Sequence, residues 1–465
     1  MAYYVIPNEF HYPLHHTRPR FKRNLENVLF YVSSEISRIG KETKVEFQNQ
    51  YMNSLKRFPG NSTSTKKTLD NWRTEIDALF GLIYYDETNA SPTKNAKELA
   101  DNQDLVKFFK RFSYKFQYPS GALKNHFIRD YIKKEIFFRP GPYIIKMLND
   151  AEKESGIRCG LSKVEAAYCI FNDLRVTRDQ RAPLNSWELI KDNRLKKLAY
   201  NYTGDYVRYA GDILDYLVIA RMLKLNPDGK YYLNKTESLA IERFCQPDKP
   251  FTEYETVDIN STSVLREINN LNNSWINYMN EEIDDDYFNT DVLALITGDS
   301  TDEYIALKDH LEMLTNGEVN PKKIGDIGES LIVNHEKLYL KLNEREDLCH
   351  LVKLIPTDLA VGYDISSRGL DATSKYIEVK TTASNSRLNF SRFHLTTNEW
   401  NTADSSRGNY FVYRLLVSSE DVRLHVLQDP VGLYKKDKIR MYPKDGADII
   451  FDPDECGFSE KLLFV

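Results

Sequence analysis

Tyr376-Ile377-Glu378-Val379-Lys380-Thr381-Thr382, with Val361-Gly362-Tyr363-Asp364-Ile365 upstream, decides the reading of the C-terminal third of the chain. In an extended strand, side chains alternate between the two faces. Ile377 and Val379 therefore share one face, and Glu378 and Lys380 the other, a little under about 7 Å apart. Asp364 comes 14 positions before Glu378. The two strands can pair as a hairpin across SSRGLDATSK, which places Asp364 beside Glu378.

Two carboxylates converging with one lysine suit phosphodiester hydrolysis. Mg²⁺ takes hard oxygen ligands and keeps some of its waters. A bound metal lowers the pKa of a water and stabilises charge on the phosphate. By itself the triplet equally suits an exposed Glu–Lys pair on a sheet face. Three further blocks accompany it in order: Gly325-Asp-Ile-Gly-Glu329-Ser-Leu-Ile, Ile355-Pro356 leading to Gly362-Tyr363-Asp364-Ile365, and Phe393-His-Leu-Thr396-Thr-Asn398-Glu399-Trp400 followed by Asn409-Tyr-Phe-Val-Tyr413. Thr396 and Glu399 have capping-box spacing, which predicts a helix start there.

Over about 320–430 these four blocks resemble the PD-(D/E)xK nuclease superfamily, and within it the Mrr-like domain found at the C-terminus of restriction and defence proteins. The resemblance implies a restriction-endonuclease-like α/β domain with a central mixed sheet, over 305–465. It implies that Asp364 and Glu378 bind Mg²⁺ (Mn²⁺ substituting), that Lys380 is the catalytic lysine, and that Glu329 supports the metal or its waters. The motif's leading proline is absent, and Tyr363 stands before the aspartate. Thr381 is either a phosphate contact or a strand-edge threonine. The α/β pattern agrees: helices are predicted at about 301–315, 324–345 and 397–405, with strands around 350–355, 361–366, 375–381, 410–417 and 422–428.

The N-terminal half reads differently. Residues 1–150 are predicted mainly helical. Residues 1–200 carry 34 Lys+Arg against 23 Asp+Glu, whereas 251–350 carry 7 against 22. The densest basic stretch, Lys107 to Arg139, interleaves Lys107, Lys110, Arg111 and Lys115 with Phe and Tyr. Such a pattern suits phosphate neutralisation with aromatic packing behind it. It equally suits amphipathic helices with aromatic cores and solvated lysines. A second subdomain is expected over 151–250. There a helix (about 211–225), a Pro-Asp-Gly turn and the strand KYYLN are similar to a winged helix, a module that binds DNA or spaces proteins. Arg175, Arg178 and Arg181 suit base or phosphate contacts, or surface salt bridges. The acidic stretch 251–304, with EEIDDDYFNTD at 281–291, reads as a linker or connector, or an interdomain surface, with a solvated acidic face. No repeat of fixed period is visible.

Composition limits the alternatives. The chain has 465 residues, 41% hydrophobic and 12% aromatic. That is long enough for more than one core and too aromatic for a disordered chain. No run of about 18 apolar residues appears, which argues against a membrane span. Five scattered cysteines form no CxxC pair, and no secretory signal is read, so a reducing cytoplasm is expected. There is no GxxxxGK[ST], so no ATP motor is expected. The histidines lack a zinc spacing. Together the readings point to a Mg²⁺-dependent restriction endonuclease, a type II site-specific deoxyribonuclease. The N-terminal half would recognise double-stranded DNA and the C-terminal domain would cut it, in the manner of type IIS enzymes. One active site per chain implies a homodimer, at least during double-strand cleavage, or sequential nicking. The alternatives are a modification-dependent or other phage-defence nuclease, and a non-catalytic DNA-binding protein with a vestigial nuclease fold.

Overall fold

A computed structural model describes residues 2–17, 24–59, 61, 64–283, 285–298, 300–388 and 392–464. The chain forms two compact units. The first is 1–100 with 105–288, and the second is 289–465 together with Asp101–Asp104.

The first unit is mainly helical and carries two small sheets. In its opening part, α1 (Leu25–Ile39) is followed by β1 (Glu42–Thr43), α2 (Lys44–Arg57), α3 (Lys66–Phe80) and the hairpin β2 (Ile83–Tyr85)–β3 (Asn89–Pro92). Helix α1 is buried over nearly its whole length. Its Glu35 accepts hydrogen bonds from Ser54 Oγ at 2.7 Å and Arg57 Nη2 at 3.1 Å, which ties α2 to it. The hairpin turn is made by Asp86. Its carboxylate accepts the N–H groups of Thr88 and Asn89, which hold its pKa down at about 2. Helices α4 (Lys94–Asn102) and α5 (Leu105–Lys115) follow.

The same order of elements returns later. Helix α6 (Pro140–Ser155) leads to β4 (Gly160–Ser162), further helices, α7 (Asp205–Ile219), and the hairpin β5 (Leu223–Leu225)–β6 (Lys230–Leu233). Both sheets are antiparallel and have the third strand in the middle, β1-β3-β2 and β4-β6-β5. Ser162 opens its helix with a capping box to Glu165. Helix α7 ends earlier than predicted, because the residues at 223–225 pair with β6 instead of continuing the helix.

Two expected boundaries are corrected. Residues 1–150 and 151–250 do not separate, and the acidic stretch is not a linker. Residues 251–288 belong to the first unit, where Trp275 is fully buried. Glu281 and Glu282 bind Lys115 and Lys94. Asp291 caps the helix Val292–Thr297. Asp284 and Asp299 lie outside the described residues.

The second unit is α/β. Helices α8 (Thr301–Thr315) and α9 (Ile324–Leu342) precede β7 (Lys353–Leu354), β8 (Ile365–Arg368), β9 (Ser374–Ser384) and β10 (Arg392–Thr396). Helix α10 (Thr397–Ser406), β11 (Tyr410–Ser418) and β12 (Val422–Gln428) come next, then β13 (Ile439–Pro443), β14 (Gly446–Phe451) and β15 (Phe458–Glu460). The main sheet is six-stranded and mixed, in the order β15-β12-β11-β9-β8-β7, with β9 and β11 parallel. Alternation along the strands builds two cores. Ile377, Val379, Tyr413, Leu415 and Val417 pack with Ile327, Leu331 and Ile332 of α9. On the other face, Tyr410 and Val412 pack with Ala403 of α10 and with Phe393, Leu395 and Ile449 of the small sheet β10-β14-β13. Each fully buried aliphatic chain contributes about 1.5–3 kcal/mol. One face of β9 and β11 is thereby committed to α9. The other face carries Glu378, Lys380 and Arg414, while Lys375 pairs with Glu336 on the α9 side.

Candidate functional site

The β8–β9 pair builds the site. Its register sets Ile365 opposite Ile377. Asp364 immediately precedes β8, and its N–H donates to Ile377 O at 2.9 Å. Its carboxylate accepts the Val379 N–H at 2.7 Å, so the side chain is bent onto the start of the Glu378–Lys380 segment. Lys380 Nζ lies 2.6 Å from Glu378 Oε1 and 3.0 Å from Glu399 Oε2. The loop that delivers Asp364 is fastened to α10. Asn398 Nδ2 donates to Ala360 O at 2.7 Å, and Thr402 Oγ1 to Val361 O at 3.1 Å. Gly362 has φ 79°, and a Cβ there would sit 2.4 Å from Thr402 Oγ1, so this close approach requires glycine.

Glu399 was legible in sequence only as half of a capping box. The box forms: Glu399 N donates to Thr396 Oγ1 and Thr396 N to Glu399 Oε2. The same carboxylate then reaches Lys380. Proximity to Lys380 arises from the packing of α10 on the sheet, which no local pattern encodes.

Glu378 and Glu399 contact one buried ammonium, and the Asp364 and Glu329 carboxyls feel its charge. Burial, then the Asp364 and Asp326 charges, push the Glu329 carboxyl up to about 8. Asp364 and Glu378 are also raised, chiefly by burial. Lys380 is buried too, which alone would weaken its proton affinity, but Glu378 and Glu399 raise it. Burial opposes the ionised form of Glu399, yet Lys380 and the Thr396 N–H hold its carboxyl below the usual range. Carboxyls pushed up by burial and, secondarily, by neighbouring carboxylates are brought back down by a bound cation. Among the described residues no three Asp, Glu, His or Cys side chains form a ready-made metal cage. Asp364 and Glu378 form a pair, and a pair suits Mg²⁺, which draws its other ligands from water and phosphate.

Thr381 sits on the opposite face. A Cβ added at Gly328 of α9 would lie 2.0 Å from Thr381 Oγ1. The hydroxyl is buried without a hydrogen-bond partner, which corrects the phosphate-contact alternative.

A family model described as "Restriction endonuclease BpuJI - N terminal" matches residues 4–276, more than half of the chain. The chain belongs to the BpuJI N-terminal family. Among solved structures, the chain is similar to the BpuJ1 endonuclease binding domain in complex with pyrene- and phenanthrene-modified DNA. Identity is 25% and the TM-score 0.53, over 60% of this chain and 100% of that one. A second model, "Protein NO VEIN, C-terminal", matches residues 328–427, a span that contains Glu329, Asp364, Glu378, Lys380 and Glu399. No curated protein matches the chain.

Within the BpuJI-family region, the basic candidates are mostly internal. Lys110 is fully buried 2.7 Å from Glu237. Arg111 is paired with Glu98 at 2.5 Å, and Lys115 with Glu281 at 2.8 Å. Phe108, Phe109 and Phe112 of the same helix are core. These three cations therefore neither face solvent nor offer themselves to phosphate, and part of the basic–acidic asymmetry is internal pairing. Removing one partner of such a pair leaves a buried charge uncompensated. Lys107 is half-buried and engaged. Arg175 and Arg181 both bind the fully buried Asp173, at 2.7 and 3.2 Å, and Arg175 also covers the Phe10 ring. Arg178 makes a fork with Asp179 near the surface. Among the described residues no helix is long and apolar enough to cross a membrane.

Proposed function

We propose that the chain is a restriction-type DNA endonuclease in which the first unit reads double-stranded DNA and the second hydrolyses its backbone. The observation that carries this reading is the convergence of Asp364, Glu378 and Lys380 across β8–β9, in a chain of the BpuJI N-terminal family. The DNA-bound state of the similar binding domain supports DNA as the partner of the first unit. Its twice-repeated helix–strand–helices–hairpin order, with the third strand central, supports two winged-helix modules. Arg178 is the best placed of the sequence candidates for phosphate, because an exposed ion pair is worth only about 0–1 kcal/mol and exchanges readily.

In the second unit, Asp364 and Glu378 would hold Mg²⁺, and Glu329 would support its waters. When bound, the ion supplies an acidified water and charge stabilisation at the scissile phosphate. The Val379 N–H fixes the Asp364 carboxylate against the Glu378–Lys380 segment, where it would act with Glu378 as a ligand to the ion. Lys380, oriented by Glu399, presents its ammonium to the same phosphate. Separate reading and cutting units suit cleavage at an offset from the recognised site, as in type IIS enzymes. One such site per chain makes a homodimer the unit of double-strand cutting. The test is digestion of a sequenced plasmid and of phage DNA, methylated and unmethylated, with Mg²⁺ or Mn²⁺, and with the ends mapped. Discrete cuts abolished by EDTA are expected. Intact DNA with both metals across several genomes overturns the enzyme reading.

A further inference from the structure

Among the described residues, Arg414 is a charge without a counter-charge. It lies on β11 as the register partner of Lys380, and it is 1% exposed. Its partners are all neutral. Nη1 donates to Lys380 O at 2.9 Å, and Nη2 to Thr382 Oγ1 at 2.5 Å and to the Gln103 side-chain oxygen. Nε has no partner. Among the described residues no carboxylate offsets the burial, which pulls the guanidinium pKa down to about 9. An uncompensated buried cation is expensive. Two of its three partners come from the sheet. The third, Gln103, comes from Asp101–Asp104, a short piece of chain far away in sequence that belongs to the second unit.

That piece is laid along the strand edge. Asp104 bridges Ala383 in parallel fashion, Ala383 N donates to Gln103 O at 3.3 Å, and Gln103 holds φ 53°. A left-handed backbone at a non-glycine residue is maintained only where contacts repay it. Thr382 Oγ1 also donates to Gln103 Oε1, at 2.5 Å. The Gln103 oxygen thus sits among a guanidinium and a hydroxyl, the donor set that takes a phosphate oxygen. We propose that Arg414 and Thr382 form a phosphate subsite beside Lys380, and that the Asp101–Asp104 strap plugs it with the Gln103 amide oxygen. This rests on the DNA-backbone reading of the second unit for its natural ligand, a phosphodiester of the substrate. The inference itself concerns anion capture.

The test uses the full chain and inorganic phosphate, against chloride at equal ionic strength, read by thermal melting. Gln103→Ala opens the subsite, so phosphate at about 50 mM raises its melting temperature by about 2 °C or more, while the wild type responds less. Gln103→Ala with Arg414→Gln loses the response. Gln103→Glu places a carboxylate on Arg414, so it melts higher than the wild type and ignores phosphate. The proposal is overturned if Gln103→Ala gains no phosphate response, if the response survives Arg414→Gln, or if Gln103→Glu destabilises the protein. None of these readouts needs DNA cleavage, so a protein that never cuts DNA leaves this test intact. If Gln103→Ala fails to fold, the Gln103→Glu melt decides.

Discussion

Lys380 is the residue on which the site turns. Its ammonium joins Glu378 to Glu399, so losing it unbalances every carboxylate nearby. Lys380→Met is expected to slow Mg²⁺-dependent plasmid nicking at least about a hundredfold, with DNA binding in a mobility-shift assay unchanged. Glu329 gives a pH signature. Its folded pKa, about 8, lies above the ordinary 4.5, so the folded state binds the extra proton between those values. That contribution to stability is full below about 4.5 and is lost as pH rises through about 8. Glu329→Gln keeps the neutral form at every pH. In EDTA its stability relative to the wild type should therefore increase steadily from about pH 5 to about pH 9, as followed by denaturant melts. A flat difference would remove the case for a forced-neutral carboxyl. At this scale the sequence was generous with Asp364, Glu378 and Lys380, because period-two alternation states which side chains share a face. It was silent on Arg414, since an arginine in an apolar strand has no local sign of being buried without a partner.

Elements hold these residues through close contacts. Helix α9 approaches β9 at Gly328, where any Cβ meets Thr381. Gly328→Ala is expected to cost about 1–3 kcal/mol or more by overpacking. Adding Thr381→Ala removes the hydroxyl and should restore part of that loss in urea titrations. An unaltered midpoint in Gly328→Ala would mean that the helix slides freely. At the other face, Thr396→Ala deletes half of the capping box of α10, a loss of about 1 kcal/mol. Because that box also seats Glu399, the variant should lose nicking activity while retaining its fold, as judged by circular dichroism. The hairpin β8–β9 and the α10 start were readable from alternation and from Thr396-x-x-Glu399. The early end of α7 was not, because pairing of Leu223–Leu225 with β6 overrides a helical apolar period.

At the scale of the whole molecule, the charge map is partly a map of internal bonds. Lys110 and Lys115 find carboxylates at 237 and 281, far along the chain, and Arg111 finds Glu98 on the preceding helix. Exposed cations are the ones left to meet DNA. Arg178→Ala should weaken DNA binding without altering sequence preference, and should lower the slope of log affinity against log salt by about one. An unchanged slope assigns Arg178 to its pair with Asp179. The repeated helix–hairpin order in the first unit escaped sequence reading because it repeats topology, not residues. Strand pairs such as Glu42↔Ala90 and Gly160↔Tyr232 need no similar side chains. By itself the sequence determined the α/β character of the last third and the face shared by Glu378 and Lys380, since both follow from short-range periodicity. Only the tertiary structure decided that the acidic stretch closes the first unit, that Glu399 meets Lys380, and that Gln103 covers Arg414. Those are contacts between residues separated by up to hundreds of positions, and burial, not local pattern, selects them.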